Sequence, residues 1–364
     1  MSRAIPSIIP IKGVIKNYPW GSVTTLANHR GESLSELPEA ELWFGDNSAG
    51  PSEVVDQGFT LNEITKEFGG LPFLAKILAV EHSLSLQVHP ALGDIPLLKN
   101  VLKDENHKPE MVVALTEFHA LVGFAAIDSI ISLFEKLGAD KASALIARPL
   151  RNGAKLVEVL NAILGVADND GILDEVLANL GNLDHVRAKW LRELIDLYRP
   201  KLDPLAFLLC ELIILEPGSS IYLPPRCVHA YLHGTVVEVM ANSDNVIRGG
   251  LTNKPIDKEN FLALIDTRSD LAQRVIPRSE SGALHWQPPV ADFSLMRIAG
   301  EFEQALSLGN FAIAFMSEGS CAITTESHRG DLVLVSQNHG AFVAPGNYVV
   351  KGSGSLWVVS GKGR

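Results

Sequence analysis

Two periodicities divide the chain. Alternation with a period of two marks strands with one face buried, and it is strict in residues 84–90, LSLQVHP. Leu84, Leu86 and Val88 fall on one side; Ser85, Gln87 and His89 fall on the other. That polar side puts an amide oxygen and an imidazole next to each other, which suits either a metal ligand pair or a solvent-facing strip. A second alternating run starts at Glu110, which shares a face with Val112 and Ala114 while Met111, Val113 and Leu115 share the other. A carboxylate in that setting is paired, metal-bound, or dipping into water at the strand end. Residues 71–80, LPFLAKILAV, are apolar except for Lys76, which must snorkel outward or face a polar cavity. Residues 1–60 predict a β-rich start, with Trp20 and Trp43 as core or wall residues.

The same period returns at 210–215, CELIIL, and at 227–233, where His229, Tyr231 and His233 share a face. Gly234 reads as a turn into a further strand in which Val236, Glu238 and Met240 alternate with Val237 and Val239, so a hairpin is expected. Residues 242–254, NSDNVIRGGLTNK, predict a turn-rich loop that delivers Arg248 and Lys254. Between these β regions the period changes to that of a helix. Ile130, Ile131, Phe134 and Leu137 recur at helical spacing with Asp128 as the expected N-cap, and 156–164, 172–180 and 183–197 repeat the pattern. The DNDG at 168–171 does not meet the twelve-residue calcium loop and reads as a turn with a helix cap. One helical piece is expected within 256–283. Residues 290–360 predict many short strands with glycine turns; His328 and His339 stand there without an acidic partner at ligand spacing, so no metal site is expected in that half.

Composition narrows the function classes. A chain of 364 residues with 46% hydrophobic content can build more than one core. No apolar run of about 18 residues is present, and the first residues lack an apolar signal core, so neither a membrane span nor a secretory leader is expected. Three cysteines without a C-x-x-C pair fit reduced thiols and a cytoplasmic location. A net charge of −11 argues against nucleic-acid or anionic-membrane binding, yet leaves room for a local basic pocket that takes a small anion.

Short strands in both halves, punctuated by glycine and proline, fit jelly-roll barrels of the cupin type. Gly218, Pro224 and His229 keep the spacing of the second cupin motif, with Arg226 where a glycine is usual and His233 where asparagine is common. The first motif is altered more: Gln87-x-His89 replaces His-x-His, and the acid, Glu110, follows His89 by 21 positions. Together Gln87, His89, Glu110 and His229 offer two nitrogens and two oxygens, a set suited to zinc with a position left for water or substrate.

LPFLAKILAVEHSLSLQVHP, NHKPEMVVAL, YLPPRCVHAYLHG and ANSDNVIRGGLTNK, in that order, resemble the type I mannose-6-phosphate isomerase family of zinc-dependent cupins. The resemblance implies a mainly β fold with an α-helical insertion: two cupin-type jelly-roll barrels plus a helical subdomain. It divides the chain into a catalytic cupin domain at 1–125 and 200–260, a helical insertion at 126–199, and a C-terminal cupin-like domain without metal at 261–364. It implies one zinc on Gln87, His89, Glu110 and His229. It implies catalytic roles for Arg248, Glu238, Lys108 and Lys76, and substrate contacts from Ser85, Tyr231, Asp244 and Lys254. Ala75, the compact 43–72 segment and the short helical insertion depart from the family pattern and bear on loop contacts. The implied reaction interconverts mannose 6-phosphate and fructose 6-phosphate by proton transfer between adjacent carbons through a cis-enediol. Glu238, Lys76, Lys108 and a zinc-bound water all remain open as the proton carrier. A small-molecule sugar phosphate is the only partner expected, with a monomeric chain. Two other readings compete: a metal-dependent cupin oxygenase, and a non-catalytic sugar-phosphate-binding cupin.

Overall fold

The computed structural model describes residues 6–326 and 332–361. The fold is mainly β, with a helical subdomain set between two jelly-roll barrels of the cupin type. Its hub is the strand His229–Ala241. The first part of this strand pairs with Leu86–Val88 and Phe118–Phe124; the second pairs with Phe73–Val80 and Glu110–Ala114. The hairpin expected at Gly234 is therefore absent. Gly234 bends one continuous strand instead, at a φ of +111°, and a Cβ there would run into the carbonyl oxygen of Glu117. A glycine read as a stop is here a corner, which lets one strand serve two walls of the barrel. A register shift between Tyr231 and His233 opens beside the corner.

The strand Phe73–Val80 is buried over its whole length, because each of its faces meets a different core. Ala75, Ile77 and Ala79 join Met111, Val113, Val237 and Val239 in a cluster that also holds Trp286, Phe315, Phe342 and Trp357 of the C-terminal barrel. Leu78 and Val80 turn the other way and pack with Val112, Ala114, Phe118 and Val236 inside the first barrel. Each large apolar side chain buried in this way contributes roughly 1.5–3 kcal/mol. The strand Leu86–Val88 is likewise buried on both faces and not half-exposed as its alternation predicts. Leu86 and Val88 pack under the helices, and the polar face looks into the barrel.

The helical subdomain lies between the strands Phe118–Phe124 and Cys210–Leu215. Ile127–Leu137, Leu156–Ile163, Ile172–Asn179 and His185–Tyr198 follow the predicted spacing, and two short helices, Asp140–Leu145 and Ala147–Arg151, join them. Asp128 sits in the first helical turn and the cap position falls on Ala126; its carboxylate favours the helix start through the dipole and not as a cap. The helical core closes over Leu86, Val88, Val228, Ala230, Leu232 and Ile247 on the outer face of the barrel. Among the described residues no helix is long and apolar enough to cross a membrane.

The C-terminal barrel has long strands where many short ones are predicted. Ser294–Leu308, Ala312–Thr325 and Gly346–Ser360 form its centre. Gly300 and Gly319 both pair with Gly354, so three glycines in one row bend neighbouring strands together. The sheet also recruits the start of the chain: Ile8–Lys12 pairs with His339–Val343 on one side and Glu53–Val54 on the other. The sheets thus do not follow a division at residue 260. Ile8 enters the C-terminal core while Ile9 and Ile11 enter the cluster between the barrels, which explains the apolar run IIPI. His328 lies outside the described residues.

Candidate metal centre and its cavity

One end of the first barrel is apolar and the other polar, on the same strands. Lys76 precedes Leu78 and Val80 on the inward face; Glu110 precedes Val112 and Ala114; Glu238 follows Val236. Register then sets Glu238 opposite Lys76 on one side, and on the other sets Glu110 opposite Met240, diagonal to Glu238. Gln87 and His229 are cross-strand partners as well, and His89 follows two residues on from Gln87.

At the centre, the two oxygens of Glu110 each approach one imidazole. Oε2 lies 3.1 Å from Nε2 of His89, and Oε1 lies 3.1 Å from Nε2 of His229. Ligand atoms of these three buried residues all fall within 4.8 Å of one another. Both imidazoles donate from Nδ1 to a backbone carbonyl: His89 to Asn245 at 2.7 Å and His229 to Cys227 at 3.0 Å. A carbonyl can only accept, so each Nε2 presents its lone pair to the centre, the tautomer a metal ligand needs. The neighbouring donors agree, since Gln87 Nε2 is 3.1 Å from His229 Nε2 and Lys108 Nζ is 3.2 Å from His89 Nε2. The Gln87 amide places Oε1 toward Ser85, and half a turn about its last bond exchanges the two ends. Glu110 Oε2 is buried and makes no hydrogen bond among the described residues, with the Lys108 ammonium 3.4 Å away; its open lone pairs suit a metal cation. Two imidazoles, a carboxylate and an amide therefore fit a zinc ion, and Gln87, His89, Glu110 and His229 would hold it.

Electrostatics favour the ligand forms. Burial and the Lys108 ammonium push His89 down to about 3, so the ring is neutral at pH 7. Burial alone would raise Glu110, but Lys108 and the two histidines outweigh it and hold the carboxyl well below its usual range. Behind this group Tyr231 donates to Glu110 Oε1 at 2.6 Å and reaches Glu238 Oε1 at 3.3 Å. Burial, then the nearby Glu110, raise Glu238 despite the ammonium of Lys76 at 3.2 Å. Lys76 is itself raised: burial works against its charge, and Glu41 and Glu238 prevail. Lys76 is thus a cavity lysine and not a snorkelling one.

The centre opens into a cavity of about 650 Å³. Lys76, Ser85, Lys108, Tyr231, Glu238, Asp244, Arg248 and Lys254 all line it, together with Gln87. Arg248 is not on a loop: it lies in the strand Ile247–Gly250 and pairs directly with Gln87. Lys254 follows on the exposed turn, its ammonium 5.5 Å from the Tyr18 ring centroid. Trp20 and Trp43 are wall residues of the same cavity. His233 is exposed, carried outward by the register shift after Tyr231. Sequence reasoning missed Glu41, which sits 3.4 Å from Lys76 and accepts from the Trp43 indole. The signal was present, because Glu41 and Trp43 alternate with Leu42 and Phe44. It also missed Asn245, whose carbonyl orients His89, and Lys103, which pairs with Asp244 at the rim.

Comparison with known proteins adds names to this geometry. Residues 8–127 match the family described as phosphomannose isomerase type I, catalytic domain. The mannose-6-phosphate isomerase of Escherichia coli K12 is 33% identical over 94% of this chain and 96% of its own length. That of Rattus norvegicus is 27% identical over 91% and 92%. Among solved structures, the apo mannose 6-phosphate isomerase of Salmonella typhimurium superposes with a TM-score of 0.84 at 27% identity, covering 98% of this chain and all of that one. A zinc-bound holo form of mannose 6-phosphate isomerase gives 0.85 at 28% identity with the same coverage.

Proposed function

The chain belongs to the type I phosphomannose isomerase family, and from that premise we propose a division of labour among the residues of its site. The reaction is the zinc-dependent interconversion of mannose 6-phosphate and fructose 6-phosphate, an aldose–ketose isomerisation through a cis-enediol. The cofactor is zinc, one per chain, and Gln87, His89, Glu110 and His229 are its ligands. The observation that carries this reading is the pair of imidazoles with inward lone pairs, one against each oxygen of the buried Glu110 carboxylate, of which Oε2 makes no hydrogen bond among the described residues. When bound, zinc acts as a Lewis acid toward the sugar's carbonyl and hydroxyl oxygens.

The chain's own residues do the rest. Ser85, Arg248 and Lys254 position the phosphate and the charged intermediate at the open side of the cavity; the planar guanidinium suits either anion. Asp244 and Tyr231 bound the sugar. Glu238 carries the proton between the two carbons, because burial and the neighbouring Glu110 raise its carboxyl above the usual carboxylate range and so make it a stronger base. Lys76 is its counter-ion: two carboxylates keep it charged, so it does not abstract a proton. Lys108, at 3.2–3.4 Å from His89 and Glu110, braces the ligand pair. Two imidazoles with an amide in place of a third histidine, set beneath cations, fit a sugar phosphate better than oxygen activation. Net charge and the buried free cysteines support a cytoplasmic enzyme without nucleic-acid partners, and we take the chain to work as a monomer.

The test couples elemental analysis to an assay for fructose 6-phosphate. About one zinc per chain, turnover abolished by chelation and restored by zinc, is the expected outcome. Iron with oxygen uptake would favour an oxygenase, binding without turnover a sensor, and full activity after exhaustive chelation would remove the metal from the mechanism.

A further inference from the structure

Arg226 occupies a conformation that an arginine rarely adopts. Its φ is +67°, and the Cys227 N–H donates to the Pro224 carbonyl at 3.2 Å. Pro225 and Arg226 are thus the central pair of a type II turn, whose second member takes a positive φ and is ordinarily glycine. A strained residue kept in place is held by something around it; the Arg226 carbonyl accepts from the Asp266 N–H at 3.0 Å, and the other backbone contacts of the turn lead to the metal ligands. The Arg226 N–H donates to the carbonyl of His89 at 2.8 Å. The next carbonyl along, that of Cys227, accepts from His229 Nδ1 at 3.0 Å. The turn therefore touches one ligand histidine through its backbone and orients the ring of the other.

The side chain adds a second tie. Nε donates to Asp94 Oδ2 at 2.9 Å, and Nη2 donates to Oδ1 of the same carboxylate. Asp94 is buried, and its Oδ2 also accepts the Ala91 N–H at 2.8 Å, so it closes the segment that leaves His89. One residue thus grips both ends of 89–94 and sets them against the turn that leads into His229. The imidazoles it relates are 4.9 Å apart, centroid to centroid.

We propose that Arg226 is a positioning residue for the metal centre, its bidentate pair with Asp94 fixing the His89 segment against the His229 turn so that both rings meet the ion in register. This rests on the zinc site described above. A glycine would satisfy the turn but could not make the tie, which is a reason for arginine to stand there despite its backbone strain.

Zinc affinity of the full-length chain, measured by chelator competition, tests it. Arg226→Gly and Asp94→Asn should each weaken zinc binding about 10- to 100-fold, as loss of a ligand-orienting partner does. The double variant should lose no more than either single one, and Arg226→Lys should recover part of the loss. Arg226→Gly relieves the strained φ but strands the buried Asp94 carboxylate, so the melting temperature of the zinc-free protein should change far less than the zinc affinity. Unchanged zinc affinity in both variants overturns the proposal, and so does a loss matched by an equal fall in zinc-free melting temperature. A wild-type chain that holds no zinc overturns both this inference and the zinc reading beneath it.

Discussion

The two barrels share a construction and differ in what they enclose. In both, long strands turn corners at glycine: Gly234 in the first, Gly300, Gly319 and Gly354 in the second. The second barrel is filled by Ile298, Met316, Ile323, Val350, Leu356 and their neighbours. The first has an apolar floor of Leu78, Val112, Phe118 and Val236, but above it the same inward positions become Lys76, Glu110 and Glu238. One substitution pattern, polar for apolar at the i−2 or i+2 position of three adjacent strands, separates a scaffold from a site. The polar half persists because its charges are paired: Lys76 with Glu41 and Glu238, and Glu110 with two histidines and Lys108. Isolated, each would cost far more than the surrounding core contributes.

The largest expected effect comes from undoing that pairing at its centre. Glu110→Ala should abolish zinc binding and isomerisation together, read by elemental analysis and the coupled assay; retention of either would break the contrast between the barrels. A comparable truncation in the second barrel should leave chemistry alone. Ile323→Ala removes a fully buried side chain and should cost about 2–5 kcal/mol in denaturant unfolding with kcat per folded molecule unchanged. A changed kcat would show that the second barrel is more than scaffold. The smallest effect is a pH dependence confined to the first barrel. Glu238 has a raised carboxyl in the folded protein, so the folded state binds its proton more tightly than the unfolded chain does. The stability this contributes is present below the unfolded value, roughly pH 4, and is lost as pH rises through the raised folded value. In the metal-free protein, Glu238→Gln should therefore gain on the wild type as pH rises across that window and hold a constant advantage above it. Unfolding curves at several pH values would show it; parallel curves would mean that Lys76 fully compensates the charge.

Legibility in the sequence followed how local each feature is. The helical insertion was plain because its period is carried by side chains three and four apart, all within one element. Gln87, His89, Glu110 and His229 were legible as residue types with the right face, and the run of four motifs tied them to one family. What alternation alone left undecided was direction. Lys76 could snorkel or face a cavity, and only the neighbouring Glu41 and Glu238, brought in by strand pairing, make the cavity tolerable. Gly234 was misjudged because a glycine that ends a strand and one that bends it look the same in one dimension. The destination of Ile8–Lys12 was invisible for the same reason, since alternation identifies a strand but does not name its partner.

That first strand bears on how the molecule assembles. Ile8 finds its partner Val343 more than 300 positions along the chain, so the closing contact of the C-terminal sheet has one of the longest sequence separations the fold contains. Contacts of this kind form late and slowly, since a large loop must close before they return any energy. Until that loop closes, the backbone edge of Ile8–Lys12 that pairs with His339–Val343 is open and Ile9 and Ile11 lack their partners from the second barrel. A fragment cut near residue 260 would keep every metal ligand and still carry an unpaired, sticky edge. The active barrel and its silent neighbour are in this sense a single cooperative unit, tied shut by five residues at the beginning of the chain.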